Sequence, residues 1–522
     1  MLRVTVYGGV AGEGKEGEIG GNQILVEWEE RAYLLDFGTR FAIASKYFEE
    51  FLTPRTVLGL KDFLHMGLIP PIEGIYREDL AAHDPELWQR YRKRPGYRRL
   101  EHLDGVLLSH AHVDHNGAIG FLKQEVPVYT GLMTSIIGKG LQDTKSGGPQ
   151  SEFCYIQPRE PNAEGVLEAI RGVTLGRWHV VCEYWEGIEK ALEALQAFWQ
   201  MSPFASKTLE QPPLVLKDLR DIGIQFYRVD HSIPGSGAFA LETPIGWVVY
   251  TGDLRRHGHS KWRTERFAEA VVELKPELLI VEGTRLDQNH STEETEVHQA
   301  AEEVVRAEKG LVIADFSPRN IERLRTFHDI ARAVGRRLVV TTKDAYLLAQ
   351  MHLIDPNIPS PDQETIAILK EPAARRQGWE RYVFNRFPDN LLEAPSIRRS
   401  PGDYLLCLSF FDITNLIDLE PRGGTYIYSS SEAYNEEQEW DLERLKNWLD
   451  HFDLKPVGGL PGAERGPYHA SGHIDGPGME WLIETVNPRK ILPVHTRKLG
   501  WFLERWPDRV ISARYAEPVI LD

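Results

Sequence analysis

Apolar and polar positions alternate from the first residues of the chain: Leu2, Val4 and Val6 are separated by Arg3 and Thr5, which predicts a strand over Leu2–Tyr7. Gln23–Trp28 and Ala32–Leu35 read as a hairpin ending at Asp36-Phe-Gly. Asp104-Gly-Val-Leu-Leu-Ser109 is a short apolar strand, and His115 to Gln124 reads as the start of a helix with a small-residue face. Residues 53–103 and 140–220 look like elaborations, the second holding one helix at about 187–199; strands return at 224–229, 237–242 and 246–250. From about residue 285 the pattern changes to helix and strand in turn. Thr292–Glu308 is amphipathic with acidic residues in its first turn, Leu311-Val-Ile-Ala-Asp315 is a buried strand, Pro318–Val334 a helix and Arg337–Thr341 a strand. Such alternation implies a parallel sheet. After about residue 455 the chain returns to glycine turns and isolated histidines.

A chain of 522 residues exceeds one compact core and suits two or three packed units. No apolar run approaches the length of a membrane span, and the N-terminus lacks the zones of a signal peptide. Cys154, Cys182 and Cys407 are too scattered for a disulfide framework or a zinc ribbon and are expected to be buried thiols of a cytoplasmic protein. The net charge of −17 argues against gripping nucleic acid through the whole surface, yet allows a local basic groove. One such segment is Trp88 to Arg99, where Arg90, Arg92, Lys93, Arg94, Arg98 and Arg99 alternate with Tyr91 and Tyr97. The glycine-rich stretch Gly8–Gly21 fits no phosphate-loop pattern before a helix, which excludes a nucleotide site there.

The chemistry concentrates in Ser109-His-Ala-His-Val-Asp-His-Asn-Gly117, which packs His110, His112, Asp114 and His115 into six residues after an apolar strand. Neutral imidazole and carboxylate are the ligands zinc takes when thiolate is absent. A strand end followed by a tight loop lets His110 and His112 serve one metal while Asp114 and His115 serve a neighbour. His231 and Asp253 each sit at a strand-to-loop exit, from which they can converge on the same centre.

His110-Ala-His-Val-Asp-His115 resembles the signature of the metallo-β-lactamase fold, with Asp36, His231 and Asp253 in the order and surroundings of its other motifs. Val281-Glu282-Gly-Thr-Arg285, His469-Ala-Ser-Gly-His473 and Pro493-Val-His495 are similar to the added motifs of the β-CASP nucleases. Within that branch, Gly17-Glu-Ile-Gly-Gly-Asn22 and Asp315-Phe-Ser-Pro-Arg-Asn-Ile-Glu-Arg-Leu324 resemble ribonuclease J most. The resemblance implies an α/β fold, an αββα sandwich formed by residues 1–284 and 455–522, with a β-CASP α/β domain inserted at 285–454. The chain ends soon after His495, so the C-terminal domain of ribonuclease J is expected to be missing.

It further implies two zinc ions, with manganese as the alternative: His110, His112 and His231 hold one, Asp114, His115 and His495 the other, and Asp253 bridges them while Asp36 orients ligands from behind. His473, kept cationic by Glu282, would act on the leaving oxygen, and His469, Ser471 and Arg255 would contact substrate. Arg256, His257 and His259 would line the mouth of the site. The expected activity is phosphodiester hydrolysis on nucleic acid, single-stranded RNA before DNA, with a homodimer left open. The rivals are a thioester or lactone hydrolase of the same fold, slightly favoured by the acidic charge, and a binding protein on a dead scaffold, disfavoured because every ligand position is filled.

Overall fold

A computed structural model describes the chain except residues 50, 146, 205–206, 318, 432–435, 461–462 and 464–465 and the side chains of 436–437. The N-terminal alternation builds a mixed sheet. Its strands are β1 (Leu2–Gly8), β2 (Gln23–Trp28), β3 (Arg31–Phe37), β4 (Gly105–Leu107), β5 (Val128–Thr130), β6 (His179–Val181) and β7 (Val215–Leu216). A second sheet holds β8 (Ile224–Arg228), β9 (Gly237–Thr243), β10 (Gly246–Tyr250) and β11 (Leu278–Val281). The third sheet holds β12 (Leu311–Asp315), β13 (Arg337–Thr341), β14 (Ile366–Leu369), β15 (Leu391–Leu392), β16 (Tyr404–Cys407), β17 (Gly424–Tyr428) and β18 (Leu454–Gly458). The chain then returns to close the first two: β19 (Lys490–Pro493) pairs parallel with β11, and β20 (Pro518–Leu521) antiparallel with β1. The strand orders are β7-β6-β5-β4-β3-β2-β1-β20, β8-β9-β10-β11-β19 and β15-β14-β13-β16-β12-β17-β18.

Val4, Val6, Ile24 and Val26 meet Leu241, Val248, Leu278 and Ile280 in one buried cluster, the interior between the first two sheets. Each such side chain contributes about 1.5–3 kcal/mol by leaving water. The outer face of the second sheet, with Ala240, Val249 and Leu279, is covered by Phe267 and Val271 from Lys261–Val272 and by Leu482 and Ile483 from Gly476–Val486. This is the αββα sandwich. In the third sheet all pairings are parallel, and every residue of β12 is buried because helices cover both faces. Helix Ile321–Ala333 packs on one face through Leu324 and Phe327. Helix Glu436–His451 packs on the other through Leu445 and Leu449. One core cluster runs without a break from Ile136 and Ile137 of the sandwich to Tyr346 and Leu347 of the third layer.

Two expectations need correction. The helix at His115–Gln124 is one turn, Val113–Asn116, followed after a break by a 3-10 turn at Ile119–Phe121. At Gly117 a Cβ would lie 2.3 Å from Thr39 Oγ1 and 2.5 Å from Val113 O, so the chain turns where only glycine fits. Residues 140–220 are also not wholly an elaboration, because β6 and β7 are strands of the first sheet. The expected helix Pro318–Val334 runs over Ile321–Ala333, and Pro318 lies outside the described residues. The three cysteines are buried free thiols. Among the described residues no helix is long and apolar enough to cross a membrane.

Candidate metal centre

Most candidate ligands stand at or just past a strand end on one edge of the sandwich, while Asp114 and His115 lie in the one-turn helix Val113–Asn116. Asp36 is the penultimate residue of β3; His110 and His112 follow β4; His231 follows β8; Asp253 follows β10; Glu282 follows β11; His495 follows β19. The backbone is strained at two of them: Asp36 has φ 55° and His495 φ 53°, left-handed values that cost such residues on the order of 1–3 kcal/mol. Gly20, at φ +78°, passes so close that a Cβ would lie 2.7 Å from Asp114 Oδ2, which accounts for the glycine pair of the Gly17–Asn22 motif.

The side chains converge in overlapping groups: His110, His112 and His231; Asp114, His115, Asp253 and His495; and Asp253, Glu282, His473 and His495. In the first, His112 Nδ1 is 3.0 Å from His110 Nε2 and 3.2 Å from His231 Nε2. Asp253 Oδ2 joins the groups, at 3.1 Å from His115 Nε2, 3.7 Å from His495 Nε2, 3.8 Å from His110 Nε2, 3.8 Å from His473 Nδ1 and 4.0 Å from His231 Nε2. His495 Nε2 is 3.4 Å from Asp114 Oδ2.

Hydrogen bonds behind these groups set the tautomers. His115 Nδ1 donates to Asp36 Oδ2 at 2.6 Å, and His231 Nδ1 donates to Gly472 O at 2.5 Å. Ser109 Oγ gives its proton to Asp36 Oδ2 at 2.7 Å and so accepts from His110 Nδ1 at 2.9 Å. Thr284 Oγ1 likewise gives its proton to Glu282 Oε2 at 2.7 Å and accepts from His495 Nδ1 at 2.9 Å. Four imidazoles therefore turn an unprotonated Nε2 inward. Lone pairs packed this closely repel unless a cation lies among them, and Asp253 Oδ1 is buried with no hydrogen-bond partner. The donor set fits divalent metal.

Electrostatics agree for three of the histidines. At His115 burial opposes charge, but Asp253, Asp114 and Asp36 prevail and hold the ring well above the usual imidazole value, a positive charge that a divalent ion on Nε2 would replace. Burial first, then neighbouring histidines, hold His110 and His231 well below the usual imidazole value, and burial holds His112 at about 3. For Asp253 burial opposes ionisation, but His115 and His495 outweigh it and keep the group a carboxylate. His473 behaves oppositely. Burial disfavours its charge, yet Glu282 prevails and raises it to about 9. Its Nδ1 lies 2.9 Å from Glu282 Oε2, and its side chain is 18 % exposed where His110, His115, His231 and His495 are at most 1 % exposed. Glu282 is itself fully engaged, accepting from Leu254 N at 3.0 Å and from Thr284.

The expected substrate contacts fare differently. Ser471 is buried beside the centre, its Oγ accepting from His473 N at 3.1 Å. His469 Nδ1 donates to Ser429 O at 3.1 Å, and burial lowers the ring to about 3. Arg255 does not reach the cleft: it is fully buried, with ion pairs to Asp230 at 3.3 Å, Glu294 at 3.2 Å and Glu322 at 2.6 Å, and it donates to Ser471 O at 3.1 Å. His257 binds the same carbonyl at 2.8 Å, Arg256 stacks on Trp481, and only His259 is exposed. The basic segment is half neutralised, with Arg90 on Asp84, Arg92 on Glu73 and Arg98 on Glu27, while Tyr91 is buried under Arg94 and cannot stack a base. Sequence reasoning missed Ser109, Tyr250 and Thr284. Thr284 alone carried a signal, since it sits inside the Glu282-Gly-Thr motif.

Residues 84–314 match the family model described as the metallo-beta-lactamase superfamily. The chain is 22 % identical over 517 residues to a ribonuclease J of Pyrococcus abyssi, covering 95 % of this chain and 90 % of that one. It is 23 % identical over 348 residues to a ribonuclease J of Mycolicibacterium smegmatis, covering 65 % of this chain but only 44 % of the longer relative. A crystal structure of a protein of unknown function from Enterococcus faecalis V583 superimposes with a TM-score of 0.65 at 20 % identity over the full length of both chains.

Proposed function

We propose that this chain is a member of the ribonuclease J-like β-CASP branch of the metallo-β-lactamase superfamily and, from that premise, a two-zinc phosphodiester hydrolase acting on single-stranded RNA. Residues 1–284 and 455–522 would form the catalytic sandwich and 285–454 the β-CASP layer that covers it, except that β18 keeps Leu454–Gly458 in the third sheet. The observation that carries the reading is the position of Asp253, whose one carboxylate oxygen lies 3.1–4.0 Å from nitrogens of five histidines. That arrangement supports a bridging ligand, with His110, His112 and His231 on one side and Asp114, His115 and His495 on the other.

A bound pair of divalent ions supplies an activated water near neutral pH and Lewis-acid polarisation of the phosphodiester. The chain's own residues do the rest. Asp36 fixes His115 directly and His110 through Ser109, so the ligands at the two ends of the His110–His115 segment share one anchor. Glu282 holds His473 protonated at neutral pH, and this more open imidazolium gives its Nε2 proton to the leaving oxygen. Glu282 also holds His495 through Thr284, coupling the proton donor to a ligand.

The test incubates purified protein with end-labelled RNA and DNA bearing a 5′-phosphate or 5′-triphosphate, with zinc or manganese. Metal-dependent cleavage of RNA is expected. Cleavage of DNA alone, or of thioesters and lactones with neither nucleic acid cut, would overturn the reading.

A further inference from the structure

β12 and β17 are neighbours in the parallel sheet, yet the chain leaves them in opposite directions. β12 passes through Ile321–Ala333 on one face towards β13, and β17 passes through Glu436–His451 on the other towards β18. A sheet with such a switch point opens a crevice at the carboxyl ends of its strands, where α/β proteins bind ligands. Here that crevice is lined by Asp315 at the end of β12, by Ser317 and Arg319 after it, by Phe410 and Phe411 after β16, by Ser430 after β17, and by Asp441 of helix Glu436–His451, which is paired with Arg444. Phe411 is 88 % exposed, a large apolar ring left in water. Arg319 is half-buried; its Nε donates to Ser317 Oγ at 3.2 Å, and no carboxylate pairs with it among the described residues.

Arg319 also lies within electrostatic reach of the metal centre, its charge acting on His112 and Asp114. Lys145 stands on the same rim, lining a cleft with Val113 and Asn116, which flank Asp114 and His115. The charges of Lys343 and Arg319 act on it in turn. Lys343 is brought there by packing: Tyr346, one turn on, donates to Asp143 at 2.7 Å, two residues before Lys145.

Resting on the nuclease reading, we infer that this crevice is a nucleotide subsite of the substrate strand, in which Arg319 receives a backbone phosphate and Phe411 stacks a base, with Lys145 and Lys343 carrying the strand between crevice and metal centre. A cation on which Asp344 and Asp114 act only from beyond ion-pairing distance, beside an exposed ring, is the pairing that single-stranded nucleic acid recognition uses. Hydroxyls at Ser317 and Ser430 suit the polar edges of a base or sugar. The site takes the role that the sequence suggested for Arg90–Arg99, where three of the six cations are paired with acids and Tyr91 is buried.

The test measures KM for cleavage of a short single-stranded RNA by wild type, Phe411→Ala, Arg319→Ala and Phe51→Ala, the last an equally exposed ring elsewhere (87 % against 88 %). Phe411→Ala and Arg319→Ala should each raise KM about tenfold. Arg319→Ala should also reduce the slope of log KM against log salt by about 0.7, the share of one phosphate on a single strand. Phe51→Ala should match wild type. Wild-type KM and salt slope in both crevice variants, with RNA still cut, would overturn the subsite alone. A wild-type protein that cuts no RNA would overturn the nuclease reading and the subsite with it.

Discussion

Asp36 shows how much a single residue can hold. It accepts from Ser109 N at 2.7 Å, Ser109 Oγ at 2.7 Å, His115 Nδ1 at 2.6 Å and Tyr250 Oη at 2.5 Å, all fully buried. Its left-handed backbone turns the carboxylate to face all four donors. Asp36→Asn adds two N–H donors where only acceptors are wanted and removes the charge that orients His115. Metal affinity should fall by about 10–100-fold, the range for groups that position ligands from behind. Competition with a chromophoric chelator checks this, and wild-type affinity would show that the four bonds only brace the fold. The motif His110–His115 was legible because its ligands lie side by side along the chain. Ser109 and Tyr250 were not, because a serine or tyrosine gains a role only when a distant carboxylate folds against it.

At the scale of elements, the first turn of helix Thr342–Ile354 carries a titration of its own. Asp344 caps it with Thr341, the two side chains exchanging bonds, including Thr341 Oγ1 donating to Asp344 Oδ2 at 2.8 Å. Burial first, then the charge of Asp412, raise Asp344 from 3.8 to about 7. Between those values the folded state holds a proton that the unfolded chain releases. The contribution to stability is therefore full below about pH 4 and is lost as pH rises towards 7. Asp344→Asn keeps an acceptor for Thr341 and removes the charge. Its melting temperature relative to wild type should rise between pH 5 and pH 8; a difference independent of pH would mean that Asp344 is ionised throughout. Element existence was legible where periodicity was long, as in β1 to β3 and the helices after residue 290. It failed where tertiary contact decides: β6 and β7 have only three and two residues, and the helix after His115 stops at a glycine pressed against Thr39.

Across the whole molecule, the third layer is tied to the sandwich by buried charge. Arg323 pairs with Glu294 at 3.0 Å and donates to Ser429 O at 2.8 Å and Tyr468 O at 3.1 Å, while Glu294 reaches Arg255 at 3.2 Å. Arg255 binds the carbonyl of Ser471, two residues before His473. Residues far apart in the chain thus hold the loop that presents His473 to the centre. That explains why Arg255, two residues after Asp253, points away from substrate: nearness in sequence says nothing of direction, and its carboxylate partners lie in other elements. Lys139 and Asp143, both fully buried and 2.7 Å apart, make a second tie, since Tyr346 of the third layer donates to the same Asp143.

The central claim is that His473 works beside a two-metal centre without being part of it. The direct measurement is metal per chain by elemental analysis, beside RNA turnover, for wild type, Asp253→Ala and His473→Ala. The account predicts two metals in wild type, loss of both metal and turnover in Asp253→Ala, and two metals with turnover reduced about 10²–10⁴-fold in His473→Ala, the range for a lost general acid. Loss of metal in His473→Ala, or full turnover with both metals in Asp253→Ala, would contradict it.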